Sequence, residues 1–233
     1  MSEPGGERIE PRLASPTWTV REPLARWLRT EAAALGSRPG YSLLDVGCGD
    51  KPYASFFATA SPYVGFDVPG NPHADLTGSI EAIPAADASF DAVLCLQVLE
   101  HVRDPAAAVR ELRRVVKPGG SVLASTHGVF VYHPNPDDLW RWTHTGLKRL
   151  FHESGDWTSV TVSPGSGTTA CVGMLMAHFV DLLFKRARLR VLGRPLVAGI
   201  NVAAAAIDRA IPALREPIPG SIFANYHVRA VAR

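Results

Sequence analysis

The chain has 233 residues with 24 Lys and Arg against 22 Asp and Glu. A net charge of +2 and no basic arm exclude the electrostatic footprint of a nucleic-acid binder. Apolar residues at 46% and charged residues at 20% are the balance of a globular chain, long enough for one large α/β domain or two small ones.

The start, "MSEPGGERIEPR", lacks the apolar run of a signal peptide, and residues 1–20 read as a flexible segment before a single domain, 21–233. "VREPLARWLRTEAAAL" has Leu24, Trp27, Leu28 and Leu35 near one face and reads as a helix, ended by "GSRPG". Strands follow at Tyr41–Val46 and in "YVGFD", with a weak one near Ala74–Leu76 and a clearly buried one in "SFDAVLCLQ". Asp104 before Pro105 is an N-cap with a first-turn proline, opening a helix through Val116. "KPGG" stops it before the strand "SVLAST". A short helix, Thr145–His152, and a strand, Thr158–Val162, precede two apolar helices, Thr168–Phe184 and Leu196–Ile211, joined by a basic loop. "IFANYHVRAVAR" closes the chain as an alternating strand. No run reaches the ~18 consecutive apolar residues of a membrane span. Strands alternating with helices predict a doubly wound, mostly parallel sheet, whose ligands sit beyond the carboxyl ends of the strands.

"LLDVGCGDKPY" lies at such an end. Gly47 and Gly49 let the backbone turn sharply and admit a ligand closely. The dinucleotide fingerprint wants a third glycine where Pro52 stands. Asp45 would repel a pyrophosphate and suit a cationic ligand, and Asp67, ending the next strand, is placed for a ribose diol. An acid for a sulfonium or ammonium group plus an acid for a ribose describes S-adenosylmethionine better than NAD. Either acid alone could equally cap a turn or a strand end. Cys48, Cys95 and Cys171 have no metal or disulfide spacing, which fits a reducing cytoplasm, and no metal site is expected.

"LLDVGCG", "VGFD" and "SFDAVLCLQVLEHVRDPAAAVRELRRVVKPGGSVLAST" resemble the class I S-adenosylmethionine-dependent methyltransferases, in the small-molecule branch with a VLEH segment. The resemblance runs from residue 41 to about 127 and implies a Rossmann-like seven-stranded sheet with an antiparallel last strand and S-adenosylmethionine as cofactor. By the same resemblance, Asp45, Gly47, Cys48 and Gly49 hold the methionine end, and Asp67 with Val68 meets the ribose. Ser79 and Ile80 of "GSIEAIP" flank the adenine, and the backbone of Gln97 reaches the methionine moiety. Ser79 stands where many relatives carry aspartate, and Lys51 occupies the place of a third glycine. "HPNPDDLWRWTHTGLKRLF" is similar to a lid segment of some bacterial members, so residues 128–155 are expected to serve the acceptor and 168–215 to be a helical insertion.

Methyl transfer from a sulfonium needs the acceptor held in line and water excluded, with a base only where the acceptor must lose a proton. His133, in a proline-bounded loop beyond the fifth strand, is the first choice for that base and His127 the second, with His144 a further candidate; packing roles are the alternative. Trp140, Arg141 and Trp142 are candidates to cover the pocket. Three functions follow: a methyltransferase for a small-molecule acceptor in bacterial metabolite or glycan biosynthesis, a cofactor-binding fold catalysing a non-methylating reaction, or a non-catalytic interaction module. The C-terminal helices are expected to cover the core, line the acceptor site, form a homodimer contact, or rest on a membrane surface through the basic loop.

Overall fold

In the structure, a computed structural model, residues 6–38, 40–134 and 137–233 are described. Helix α1 (Gly6–Ile9) and helix α2 (Trp18–Gly36) lead into strands β1 (Leu43–Val46), β2 (Tyr63–Asp67), β3 (Leu76–Thr77) and β4 (Phe90–Leu96). Helix α3 (Pro105–Val115), strand β5 (Val116–His127), helix α4 (His144–Ser154) and strand β6 (Trp157–Pro164) follow. Helices α5 (Thr168–Arg186) and α6 (Arg190–Ala210) then separate β6 from β7 (Asn225–Ala232).

The strands form one seven-stranded sheet in the order β3-β2-β1-β4-β5-β7-β6. β1 pairs parallel with both β2 and β4, and β7 runs antiparallel to both β5 and β6, as expected for the last strand. The chain fills one side of the sheet from β1 to β3 and then crosses to β4. The reversal lies between β1 and β4, the place where open sheets of this kind form a ligand crevice past the strand ends.

Strand alternation sends neighbouring apolar residues to opposite faces, which is why nearly continuous apolar strands are needed here. Leu44, Val46, Val93 and Cys95 enter one buried cluster with Leu112 of α3 and Phe151 of α4. Leu43, Ala92 and Leu94 enter the other with Leu24 and Leu28 of α2. Local signals set the helix starts. Asp104 Oδ1 accepts from Ala107 N at 2.9 Å, and Thr143 Oγ1 accepts from Gly146 N at 3.1 Å.

Three expectations are corrected. The N-terminal segment is held from residue 6 onward: Arg29 donates to Ile9 O at 2.7 Å, and the Asn201 amide donates to Leu13 O and Ser15 O. A Pro-, Gly- and charge-rich stretch can fold when its carbonyls find donors elsewhere in the chain. The basic loop shrinks to residues 187–189, because α6 starts at Arg190 and accommodates Pro195 in its early turns. Finally, α5 and α6 are long and apolar enough to cross a membrane by length and composition, although no unbroken apolar run shows it.

Candidate active site

β1 ends at Val46 and the chain turns through Gly47 (φ +71°) and Gly49 (φ +54°), both left-handed. The turn is pinned from behind, with Gly47 N and Cys48 N donating to Phe66 O at 2.8 and 3.1 Å. A Cβ on Gly47 would lie 2.3 Å from Val98 Cγ2, so only glycine fits beneath that side chain. Cys48 packs inside the turn as a small buried side chain. Its side chain is buried, its N–H is taken by Phe66 and its carbonyl accepts from Lys51 N. Burial pushes its thiol up to about 12.

Asp67, at the end of β2, faces the same turn. Its Oδ2 accepts from Gly49 N at 2.9 Å and Asn71 Nδ2 at 2.6 Å, and its Oδ1 accepts from Val68 N at 2.7 Å. A carboxylate offers about four lone-pair sites, so a ribose diol reaching Asp67 competes with the Asn71 amide. Asn71, which also donates to Gly49 O at 2.8 Å, is a site residue that sequence reasoning missed. An amide four residues past a strand end carries no signal of its own. Val68 lies exposed beside Asp67, Ser79 is exposed with its Oγ accepting from Glu81 N, and half-buried Ile80 packs on the core edge.

Asp45 lies under the turn, 3% exposed, with Tyr63 OH donating to Oδ2 at 2.6 Å. Burial raises its carboxyl to about 6, against the opposing pull of the Tyr63 hydroxyl and the Lys51 charge. It reaches a cationic ligand through its field, since the exposed side of the turn is backbone. Arg8 of α1 stands over that side, its Nη1 3.8 Å from the Cβ position of Gly49. Treating the N-terminus as flexible hid this cation.

Gln97 leaves β4 with φ +58°, its N–H donating to Ser125 O at 2.8 Å. Its side-chain amide donates to Ser125 Oγ and Asn225 Oδ1, tying β4 to β5 and β7. The side chain therefore anchors the strand ends.

Across the crevice, β5 ends in His127, 4% exposed and stacked on Phe130 with ring centroids 3.7 Å apart. His127 Nε2 lies 3.2 Å from Glu100 Oε1, and Glu100 Oε2 accepts from Thr126 Oγ1 at 2.7 Å. Burial pushes the Glu100 carboxyl up and the His127 imidazole down to about 3, so the imidazole is uncharged at neutral pH. His127 Nδ1 has no partner. His133 is exposed, with its ring centroid 6.3 Å from His127 and 5.7 Å from His101. Desolvation, then the nearby His101 charge, lowers its pKa below the usual imidazole value. Its loop is clamped where His133 N donates to Asp138 Oδ2, itself gripped by Arg141. Residues 135 and 136 of that loop lie outside the described residues.

The two imidazoles chosen from the sequence therefore share one site, while His144 is directed away, its Nε2 on Val162 O. Trp140 and Trp142 stack with centroids 5.7 Å apart, and the Trp140 indole donates to Val102 O. A cleft of about 300 Å³ lies beside them, lined by Phe130, Tyr132 and Arg141. A larger cleft of about 550 Å³, around Tyr41, Lys117 and Arg229, opens at the opposite end of the strands, away from these groups. Among the described residues no His, Cys, Asp and Glu cluster is arranged for a metal ion.

Residues 44–124 match the model of a family described as a methyltransferase domain. This segment is similar to methyltransferase domains. A ubiquinone biosynthesis O-methyltransferase of Alkalilimnicola ehrlichii is 38% identical over 111 residues, 41% of this chain and 45% of the relative. A probable S-adenosylmethionine-dependent methyltransferase of Mycolicibacterium smegmatis is 32% identical over 143 residues, 57% of this chain and 54% of that one. The chain spans about half the length of the curated relatives it matches. Among solved structures, the [4+2]-cyclase SpnF superposes with a TM-score of 0.54 at 21% identity, covering 89% of this chain and 81% of its own. YcgJ of Bacillus subtilis gives 0.54 at 19% identity, covering 89% and 98%. These two neighbours show the expected fold.

The residues present fit the cofactor of this domain. Gly47 leaves no room for a side chain, Gly49 is left-handed, Asp67 offers a carboxylate at the end of the next strand, and Arg8 is a cation near the turn.

Proposed function

We propose that this chain is a methyltransferase that moves a methyl group from S-adenosylmethionine to a hydroxyl or amine of a small-molecule acceptor, in bacterial metabolite or glycan biosynthesis. The observation that supports this reading is that two sets of groups lie at the carboxyl ends of adjacent strands of one sheet: the Gly47–Gly49 turn with Asp67 after β1 and β2, and His127 with Glu100 and His133 after β4 and β5. The cofactor supplies a methyl group already activated on a sulfonium. The chain's part is to bind, to orient and to exclude water. Gly47 and Gly49 admit the methionine end, Asp67 holds the ribose in place of the Asn71 amide, and Ser79 with Ile80 flank the base. Oxygen is the favoured acceptor atom, because several relatives are named O-methyltransferases and a hydroxyl needs the base that the imidazoles offer. His133 takes that proton in the neutral form its lowered pKa maintains, with His127 behind it as the alternative.

The test is incubation with methyl-labelled S-adenosylmethionine and a panel of phenols, sugars and amines. The expected result is a labelled product formed one-for-one with S-adenosylhomocysteine. A second reading is motivated by the structural neighbour named a cyclase: a cofactor-binding fold that catalyses a non-methylating reaction. Turnover of an acceptor with no S-adenosylhomocysteine formed would select it, and failure to bind the cofactor would leave an interaction module.

A further inference from the structure

The α5–α6 hairpin carries two features that methyl transfer does not use. One is an apolar face turned away from the sheet. Val172, Met176, Phe179 and Leu183 recur along one side of α5 and all are exposed, Phe179 at 61%. On α6, Leu192 at 62%, Leu196, Val202 and Ile207 are exposed in the same way. Single exposed apolar residues are ordinary, but two adjoining helices that present them together form a patch. The other feature is charge. From Thr168 to Ile207 the only acid is Asp181, and Arg190 engages it at 3.3 Å. Lys185, Arg186, Arg188, Arg190 and Arg194 crowd the turn of the hairpin.

The opposite faces are anchored. Asp208 accepts from Thr169 N and Ala170 N at 3.0 Å, and Asn201 holds the carbonyls of Leu13 and Ser15. Cys171 and Met174 pack on Val20 and Ala224. Spanning a bilayer would break these contacts and carry Asp208 into hydrocarbon. Helices with one anchored face, one apolar face and a cationic end suit the plane of an interface instead.

We propose that the α5–α6 hairpin docks on an anionic lipid bilayer, its apolar stripes in the headgroup boundary and its turn cations on lipid phosphates. Charge complementarity selects this occupant. A second copy of the chain meeting this face brings five like cations and no acid but the one already engaged. The surface adjoins the crevice, because Phe130 lies between His127 and His178 of α5, with centroids 3.7 and 6.0 Å away. Delivery of a lipophilic acceptor along this wall rests on the methyltransferase reading; the docking itself does not.

The test is co-sedimentation of the full chain, without cofactor or acceptor, with vesicles of phosphatidylcholine alone or mixed with phosphatidylglycerol. The chain should pellet with the mixed vesicles at low salt and dissociate as salt rises. Each cation near an anionic surface is worth about five-fold in binding, so Arg186→Gln with Arg188→Gln should lower partitioning about 25-fold. Phe179→Ser with Leu183→Ser should abolish it with an unchanged circular dichroism spectrum. If that pair misfolds, the arginine pair still decides the matter. No pelleting with mixed vesicles at low salt overturns the proposal, as does equal pelleting with neutral vesicles. So does a dimer seen by light scattering that the Phe179 and Leu183 changes dissociate. Methyl transfer to a soluble acceptor without vesicles tests the earlier reading separately.

Discussion

Asp45→Asn should make the protein more stable at neutral pH while weakening its hold on the cofactor. The carboxyl is buried with its pKa raised from 3.8 to about 6, so the folded state binds its proton more tightly than the unfolded chain does. A raised pKa contributes stability in full below the unfolded value, and that contribution is lost as pH rises through the folded one. At about 1.4 kcal/mol per pH unit, ionising this buried group costs roughly 3 kcal/mol at pH 7, about half of that at pH 5, and little near pH 4. Asparagine is isosteric and still accepts from the Tyr63 hydroxyl that now meets Oδ2 at 2.6 Å. Urea unfolding of parent and variant from pH 4 to pH 8 should therefore show curves that nearly coincide at the acid end. They should diverge through pH 5 to 6, with the variant ahead at pH 7 and above. Titration with S-adenosylmethionine at pH 7 should show the opposite order, because the charge beneath the turn is gone. An equal stability difference at every pH, or a variant less stable at pH 8, would refute the argument that burial of Asp45 sets its ionisation.

Asp67→Ala should weaken S-adenosylmethionine binding by about 1–3 kcal/mol, read by calorimetric titration, and should loosen the turn that Asp67 holds through Gly49 N; unchanged affinity removes it from the ribose site. Gly47→Ala meets both the left-handed backbone and Val98, and should cost roughly 2–5 kcal/mol in urea unfolding. Gly119→Ala, also left-handed but in open space, should cost only about 1–2 kcal/mol. His133→Ala should slow O-methylation by about 10²–10⁴-fold with cofactor affinity kept; the parent's rate should rise with pH through a limb below the usual imidazole pKa and be flat above neutrality. If His127→Ala alone abolishes turnover, the two imidazoles exchange roles. Glu100→Ala removes the acceptor of the buried Thr126 hydroxyl and the group beside His127 Nε2 and should cost roughly 2–4 kcal/mol in urea unfolding, while Glu100→Gln, which keeps an acceptor for Thr126, should cost less.

The sheet was legible because its signals are local and mutually consistent. Apolar runs mark strands buried on both faces, Asp104 and Pro105 open α3, and the glycine turn follows β1 at the point where the strand order reverses. The grouping of Gly47, Gly49 and Asp67 was legible for the same reason, since they sit close in sequence at two adjacent strand ends. What the sequence concealed depends on contacts between distant residues. Asn71 matters because Asp67 and Gly49 O both lie within reach of one amide. Arg8 matters because residues 6–15 are tied down by Arg29 and by Asn201, which is 186 residues away from Ser15. Glu100 gains its neighbours only when β5 places Thr126 and His127 against it. The apolar helices pose the converse problem: composition alone cannot say which stripe of α5 faces the sheet. Met174 is buried and Met176 is exposed two residues later, and only the packing of Cys171 and Met174 on Val20 and Ala224 assigns the faces. The fold thus follows from patterns within each element. The acceptor side, and the surface beside it, follow from which elements the sheet order brings together.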